Sequence, residues 1–239
     1  MTTLILFTDR LNRYEDMSYY GLELARIKAA QNKAFNADEK ELFFEAFKGY
    51  MGELRTTYDD TLTAIRDNER DERDTTVERQ YLGDLAQKIN RTSDKVIDIM
   101  NSNLKLIGSD LKEKVYYLKM IADYNRYKAE VATEADVDRF VGEAEKNYTS
   151  ALEIASDNLS TVAPIRLAVA LNASVFFKEI KGDRSRALAI ASEAYHNALL
   201  NMEEVTSEKA ADVTTIMQLL RSNMEQWNAE AEEEGSAYL

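Results

Sequence analysis

A chain of 239 residues with 43 Asp and Glu against 30 Lys and Arg carries a formal net charge of -13. That balance excludes nucleic acid and anionic membranes as main partners, since both require a basic surface. Cysteine is absent, glycine occurs 8 times and proline once, at Pro164, which removes disulfide frameworks and thiolate metal sites and nearly all the punctuation that ends strands and builds hairpins.

The composition therefore predicts an all-α chain, and the lack of thiols fits a reducing compartment. The amino-terminal stretch MTTLILFTDR has only four consecutive apolar residues and no basic leader, so it reads as neither signal peptide nor membrane span. Two helices are expected before Asn36. That residue is a plausible N-cap, with Glu39 three residues on completing a capping box. Beyond it Phe43, Phe47, Tyr50, Leu54 and Tyr58 step by three or four, drawing one apolar stripe along a long helix. The highly charged RDNERDERDTTVERQ reads as frayed helix ends and an exposed connection. A helix follows over about 77–101, and Gly108 marks a turn before the stretch YYLKMIADYNRYKAEV at 116–131. Further helices are expected over about 136–157, 164–180, 184–202 and 209–230. Pro164 suits a first helical turn, where its missing N–H is no loss, and Gly182 with Asp183 makes the next turn. The total is nine helices, with mostly short connections that favour antiparallel neighbours. Residues 1–230 form one helical domain on this reading, and the acidic 231–239 form a flexible tail.

The 116–131 stretch concentrates charge. On a helix Lys119 and Arg126 lie within about 20° of one another, with Asp123 and Glu130 near the same line and Tyr127 beside them. Read alone, this is a solvated face with Lys119–Asp123 and Arg126–Glu130 pairs at i,i+4, and Met120, Tyr124 and Val131 turn toward a core. Lys48 and Arg55 repeat the seven-residue spacing on the helix face away from Phe43, Phe47 and Leu54. Two such helices suit one dianion, because a phosphoryl group carries about -1.5 to -2 charges and three acceptor oxygens that Arg forks grip. Asn172, inside LAVALNASVFF, is a polar group in an apolar run that needs a partner, either a neighbouring helix or a ligand.

Catalytic and metal readings fail on their own requirements. Glu193 to His196 spells one Glu-x-x-His unit, but a di-iron bundle needs two and the chain has one histidine. Residues 67–78 place acids at calcium-loop positions 1, 3, 5 and 12, but Glu72 occupies the position that needs glycine. With no cysteine, a lone histidine and no glycine-rich phosphate loop, the sequence predicts no enzyme, no metal and no cofactor.

YYLKMIADYNRYKAEV, with RYEDM (13–17), APIRLAVALNASVFFKEI (163–180) and TTIMQLLRSNMEQW (214–227), closely resembles the 14-3-3 family of phosphoserine and phosphothreonine adaptors. The four motifs stand in the family's order and spacing from about Asn12 to Trp227. The resemblance implies nine antiparallel helices forming a concave groove, a homo- or heterodimer, phosphorylated proteins or peptides as partners, and a cytoplasmic and nuclear role in signal transduction. Carried over by motif, it implies a phosphate pocket of Lys48, Arg55, Arg126 and Tyr127. Asn172 and Asn223 become amides that hydrogen-bond the peptide backbone, and Lys119 lies beside them. Leu171, Val175, Ile216 and Leu219 become the apolar wall, and Glu179 and Trp227 the far end. A tetratricopeptide-like scaffold reading unphosphorylated peptides is the alternative from another class.

The chain departs from the family at several points. Its first helix is short, and Asp84 and Lys88 reverse the charge order expected opposite Arg13 and Asp16 in the dimer. Leu11, Thr57 and Tyr81 keep that contact neutral or apolar. Asp59 stands where many members have a basic residue near the phosphate, and Thr215 where the wall has leucine; both imply a shifted peptide preference. Ser236, in the acidic tail, is a candidate phosphorylation site that would turn the tail into a competing ligand.

Overall fold

The computed structural model describes residues 1–236. Among the described residues there are nine α-helices, one 3-10 turn and no strand. The helices are α1 (Thr2–Arg10), α2 (Tyr14–Ala30), α3 (Ala37–Arg70), α4 (Thr76–Leu104), α5 (Leu111–Glu130), α6 (Glu134–Asn158), α7 (Pro164–Glu179), α8 (Arg184–Leu200) and α9 (Ala210–Ser236), with the 3-10 turn at Met202–Glu204. The all-helical expectation and the number of helices hold.

The first compact unit spans 1–108 with 131–135. Here α1 packs on α2 and α3, α2 on α3, and α3 on α4. Phe43, Phe47 and Leu54 of the expected stripe are buried together with Met51 and Ile65, while Tyr50 and Tyr58 form its half-buried edge. Phe35, in the α2–α3 connection, lies 5.2 Å from the Phe43 ring centroid, and Phe43 in turn lies 4.5 Å from that of Phe47. Asn36 makes the complete capping box: its side chain accepts from the Glu39 N–H at 2.9 Å, and Glu39 accepts from the Asn36 N–H at 2.8 Å. The same Glu39 carboxylate pairs with Lys28 of α2 at 2.8 Å, so one side chain caps a helix and ties it to its neighbour. Gly49 lets the Tyr14 ring lie against α3; a Cβ there would stand 2.7 Å from the ring's Cγ and Cε1.

The charged 66–80 segment is more helical than expected. α3 runs on to Arg70, only 71–75 connect it to α4, and Arg79 pairs across the corner with Glu69. Helix ends α1, α2 and α3 share one device. Asn12, Asn32 and Glu72 take left-handed φ of 53°, 51° and 57°, and the next residue's N–H reaches back five residues, as in Arg73 to the Asn68 carbonyl at 2.8 Å. This closure usually takes glycine. In a glycine-poor chain asparagine fills it twice, and Glu72 fills it against its steric preference.

The second unit spans 109–130 with 136–236 of the described chain. Its core gathers Tyr148 of α6, Leu167, Phe176 and Phe177 of α7, and Val213, Leu220 and Trp227 of α9. Small residues set the spacing. Ala144, Ala151 and Ala155 on α6 and Ala187, Ala191 and Ala198 on α8 are fully or almost fully buried, and a methyl side chain lets helices approach closely. Pro164 occupies the first turn of α7 as expected, and Asp183 caps α8 by accepting from the Arg186 N–H at 2.9 Å, after Gly182 at φ 66°. Arg166, one turn into α7, donates to the carbonyls of Ser156 (3.2 Å) and Leu159 (2.7 Å), closing the end of α6. α9 continues to Ser236, past the point where the sequence suggested a tail; residues 237–239 lie outside the described residues.

Candidate functional site

Helical spacing on α5 produces the two expected ion pairs. Lys119 Nζ lies 2.6 Å from Asp123 Oδ2, and Arg126 Nη1 lies 2.8 Å from Glu130 Oε1. The solvated reading of this face is wrong, because side-chain exposure is only 10% at Lys119, 5% at Asp123 and 11% at Arg126. α6 and α7 supply the cover, through Tyr148 and Asn172, and 3.6-residue spacing cannot reveal what packs on a stripe. Met120 and Tyr124 face the core as expected, whereas Val131 falls beyond the helix.

Asp123 is the hub. Lys119, the Tyr148 hydroxyl and the Asn172 amide all donate to its carboxylate, the last at 2.9 Å. Burial pushes the Asp123 carboxyl up, but the charges of Lys119 and Arg126 and the hydrogen bonds from Lys119 and Tyr148 more than reverse this and hold it below the usual carboxylate range. Burial likewise opposes the Arg126 charge, and the acidic groups of Tyr148, Tyr127, Glu130 and Asp123 outweigh it. Arg126 also stacks on the Tyr127 ring, 4.7 Å from its centroid. The outcome is a rigid, ionised cluster in a low-dielectric setting, where charge acts strongly.

α7 and α9 pack on one another, and α5 on α7. Leu171, Val175 and Ile216 lie half-buried on the core of this unit, Leu219 is 47% exposed, and Asn172 and Asn223 are half-buried. Glu179 is exposed, and Lys178 beside it ties α7 to Glu230 of α9 at 2.8 Å. Trp227 is a core residue, 3% exposed. Thr215 is exposed on α9. Asn172 has the neighbouring-helix partner that its apolar surroundings demanded. Tyr148, which completes the cluster, left no signal in the sequence beyond its place on the alanine-lined stripe of α6.

Lys48 and Arg55 stand on α3 of the first unit. The Lys48 side chain is 63% exposed, 3.6 Å from Glu45 and 5.5 Å from the Phe44 ring centroid, and Arg55 is half-buried; Asp59 is exposed. Leu11 and Tyr81 are exposed, as are Asp84 and Lys88; Thr57 donates to the Glu53 carbonyl at 2.8 Å, and Arg13 pairs with Asp16 at 2.9 Å. Sequence reasoning missed other exposed apolar side chains: Leu4, Leu6 and Phe7 of α1 and Val77 of α4. His196 lies exposed on α8, its Nδ1 2.7 Å from the Ser192 carbonyl oxygen.

A family model described as 14-3-3 protein matches residues 4–228. The chain belongs to the 14-3-3 family. It is 30% identical over 232 residues to mouse 14-3-3 protein beta/alpha, covering 96% of this chain and 92% of that one. It is 31% identical over 224 residues to 14-3-3-like protein 1 of Caenorhabditis elegans, covering 93% and 88%. With 14-3-3 protein 3 of Entamoeba histolytica it shares 29% over 229 residues, covering 95% and 93%. 14-3-3 proteins are non-enzymatic adaptors or regulators that bind phosphorylated partners and form dimers, which displaces the tetratricopeptide alternative for this 14-3-3 chain.

Proposed function

We propose that this 14-3-3 protein is a phosphoserine/phosphothreonine-peptide adaptor of the cytoplasm and nucleus that holds an extended phosphorylated segment along α5, α7 and α9. Lys48, Arg55, Arg126 and Tyr127 take the phosphate, Lys119 supports them, and Asn172 and Asn223 bond the peptide backbone. Leu171, Val175, Ile216 and Leu219 meet apolar side chains; Glu179 and Trp227 bound the far end. The observation that carries the reading is Arg126, a buried guanidinium paired with Glu130 and stacked on Tyr127. Such a preoriented cation loses little freedom when it takes an anion.

Dimerisation belongs to the same proposal. Leu6, Phe7, Leu11, Val77 and Tyr81 are exposed apolar side chains of the kind found at interfaces, and the half-buried Thr57 is neutral. The reversed pair lets Arg13 meet Asp84 and Asp16 meet Lys88 of a second copy. Two sites per dimer give a doubly phosphorylated client an avidity gain of about 10²- to 10⁴-fold when its linker spans them.

Fluorescence anisotropy with one peptide, phosphorylated and not, tests the adaptor reading; equal affinity for the two forms overturns it. The exposed Lys48 is the better site for charge reversal than Arg126, whose burial would confound binding with unfolding. Lys48→Glu should weaken phosphopeptide binding by about tenfold or more, since a hydrogen bond to a charged group contributes roughly 1.5–3 kcal/mol, with helical circular dichroism unchanged. Sedimentation across concentrations tests the dimer, which Phe7→Glu should dissociate.

A further inference from the structure

We propose that Asp123 is a positioning residue that fixes the hydrogen-bonding sense of Asn172, so that the site demands a free backbone N–H on the ligand residue meeting Asn172. The proposal rests on the phosphopeptide reading above and adds a rule about which backbones it admits.

Three donors from three helices converge on Asp123. Lys119 Nζ of α5 reaches Oδ2 at 2.6 Å; Asn172 Nδ2 of α7 reaches Oδ1 at 2.9 Å, and the Tyr148 hydroxyl of α6 donates to the same oxygen. Asp123 and Tyr148 are both buried. Only a group that accepts on both oxygens satisfies all three. An amide at 123 would turn an NH2 toward one of the donors and leave a buried clash of like dipoles.

The consequence falls on Asn172. An asparagine amide is nearly symmetric in shape, and a half-turn about its last torsion exchanges donor for acceptor. Facing a carboxylate, it has no choice: the NH2 must point inward, and Oδ1 is left for anything outside. Asn172 makes no other hydrogen bond among the described residues and is half-buried, so Oδ1 is its free acceptor. Oδ1 therefore accepts an N–H and cannot pair with a proline nitrogen or an N-alkylated amide.

The test is a set of phosphopeptides, each N-methylated at one backbone position, measured by anisotropy against the unmethylated parent. In the unaltered protein one position should cost about tenfold or more in affinity, the scale of an acceptor left unpaired. Asn172→Ala should abolish that penalty. Asp123→Asn should shrink it, because Asn172 is then free to turn over, while Tyr148→Phe, which keeps the carboxylate, should retain it. A merely structural role would make Asp123→Asn and Tyr148→Phe behave alike, and that result overturns the proposal, as does a phosphopeptide with no methyl-sensitive position. The second result leaves the adaptor reading standing.

A phosphopeptide that does not bind at all overturns the adaptor reading instead. The side-chain amide signals of Asn172 in ¹⁵N-asparagine-labelled protein then decide the positioning claim alone, and they do so equally if Asp123→Asn does not fold. Protection of the Asn172 NH2 from solvent exchange supports the claim; a freely exchanging amide refutes it.

Discussion

Gly49→Ala should destabilise the protein in one background and stabilise it in another. Alanine is preferred to glycine inside a helix by about 1 kcal/mol, and α3 surrounds position 49 on both sides. Against that, the new Cβ would lie 2.7 Å from Cγ and Cε1 of Tyr14, with Cδ1 nearer still. Carbon atoms rest about 3.5–4.0 Å apart, so the whole ring must withdraw by around an ångström. The contact involves the root of the ring and not a flexible tip, which places the cost in the upper part of the overpacking range, about 2–3 kcal/mol. The net loss should be about 1–2 kcal/mol. In a Tyr14→Ala background the obstacle is gone, and the same substitution should gain about 1 kcal/mol. Urea denaturation followed by circular dichroism, at one fixed protein concentration because association shifts apparent stability, measures all four corners of the cycle. A Gly49→Ala effect of the same sign in both backgrounds would refute the reasoning.

Glu72→Gly should raise stability by about 1 kcal/mol, since a left-handed residue with a Cβ is strained by roughly that amount; a lower urea midpoint would count against the strain at φ 57°. Asn36→Ala should cost about 1 kcal/mol by removing the N-cap acceptor of α3, seen as a lower midpoint with unchanged slope. Burial raises Tyr117, Tyr124 and Tyr148 above the ordinary phenol value of about 10. The folded state then holds protons that the unfolded state releases, so stability is full below pH about 10 and falls as pH climbs through the raised values. Phenolate absorbance of these tyrosines should appear only together with loss of helicity, and ionisation within a fully helical protein would contradict this. At the acid end Asp123 and Glu39 are lowered, so their contribution is present above the usual carboxylate range and is lost as pH falls through their folded values.

The legible parts of this molecule are those whose cause is local. Phe43, Phe47 and Leu54 announce a buried stripe by spacing, and Asn36 with Glu39 announces a cap, because both depend on residues one turn apart. The pairs on α5 were visible for the same reason. Their burial was not, since the covering groups, Tyr148 and Asn172, sit 25 and 49 residues from Asp123. Glu72 was illegible in the opposite way: the closure of α3 needs a left-handed residue there, and glutamate is a poor advertisement for one. For the site as a whole, composition argued against nucleic acid and most catalysis, but only the four motifs assigned roles to Asn172 and Arg126.

The Arg166 clamp bears on how the chain meets proteases. Cleavage requires several residues of extended backbone, so a corner yields only if it opens locally. At the α6–α7 corner the Arg166 guanidinium of α7 bonds two carbonyls at the end of α6, with Ala163 N–H returning to the Ser160 carbonyl at 2.9 Å and Val162 buried. The α3–α4 corner exposes 71–74, with Arg70 just before them and Arg73 among them. Brief trypsin treatment should therefore nick the chain at Arg70 or Arg73 well before Arg166, leaving fragments whose junction marks the softest point on the surface.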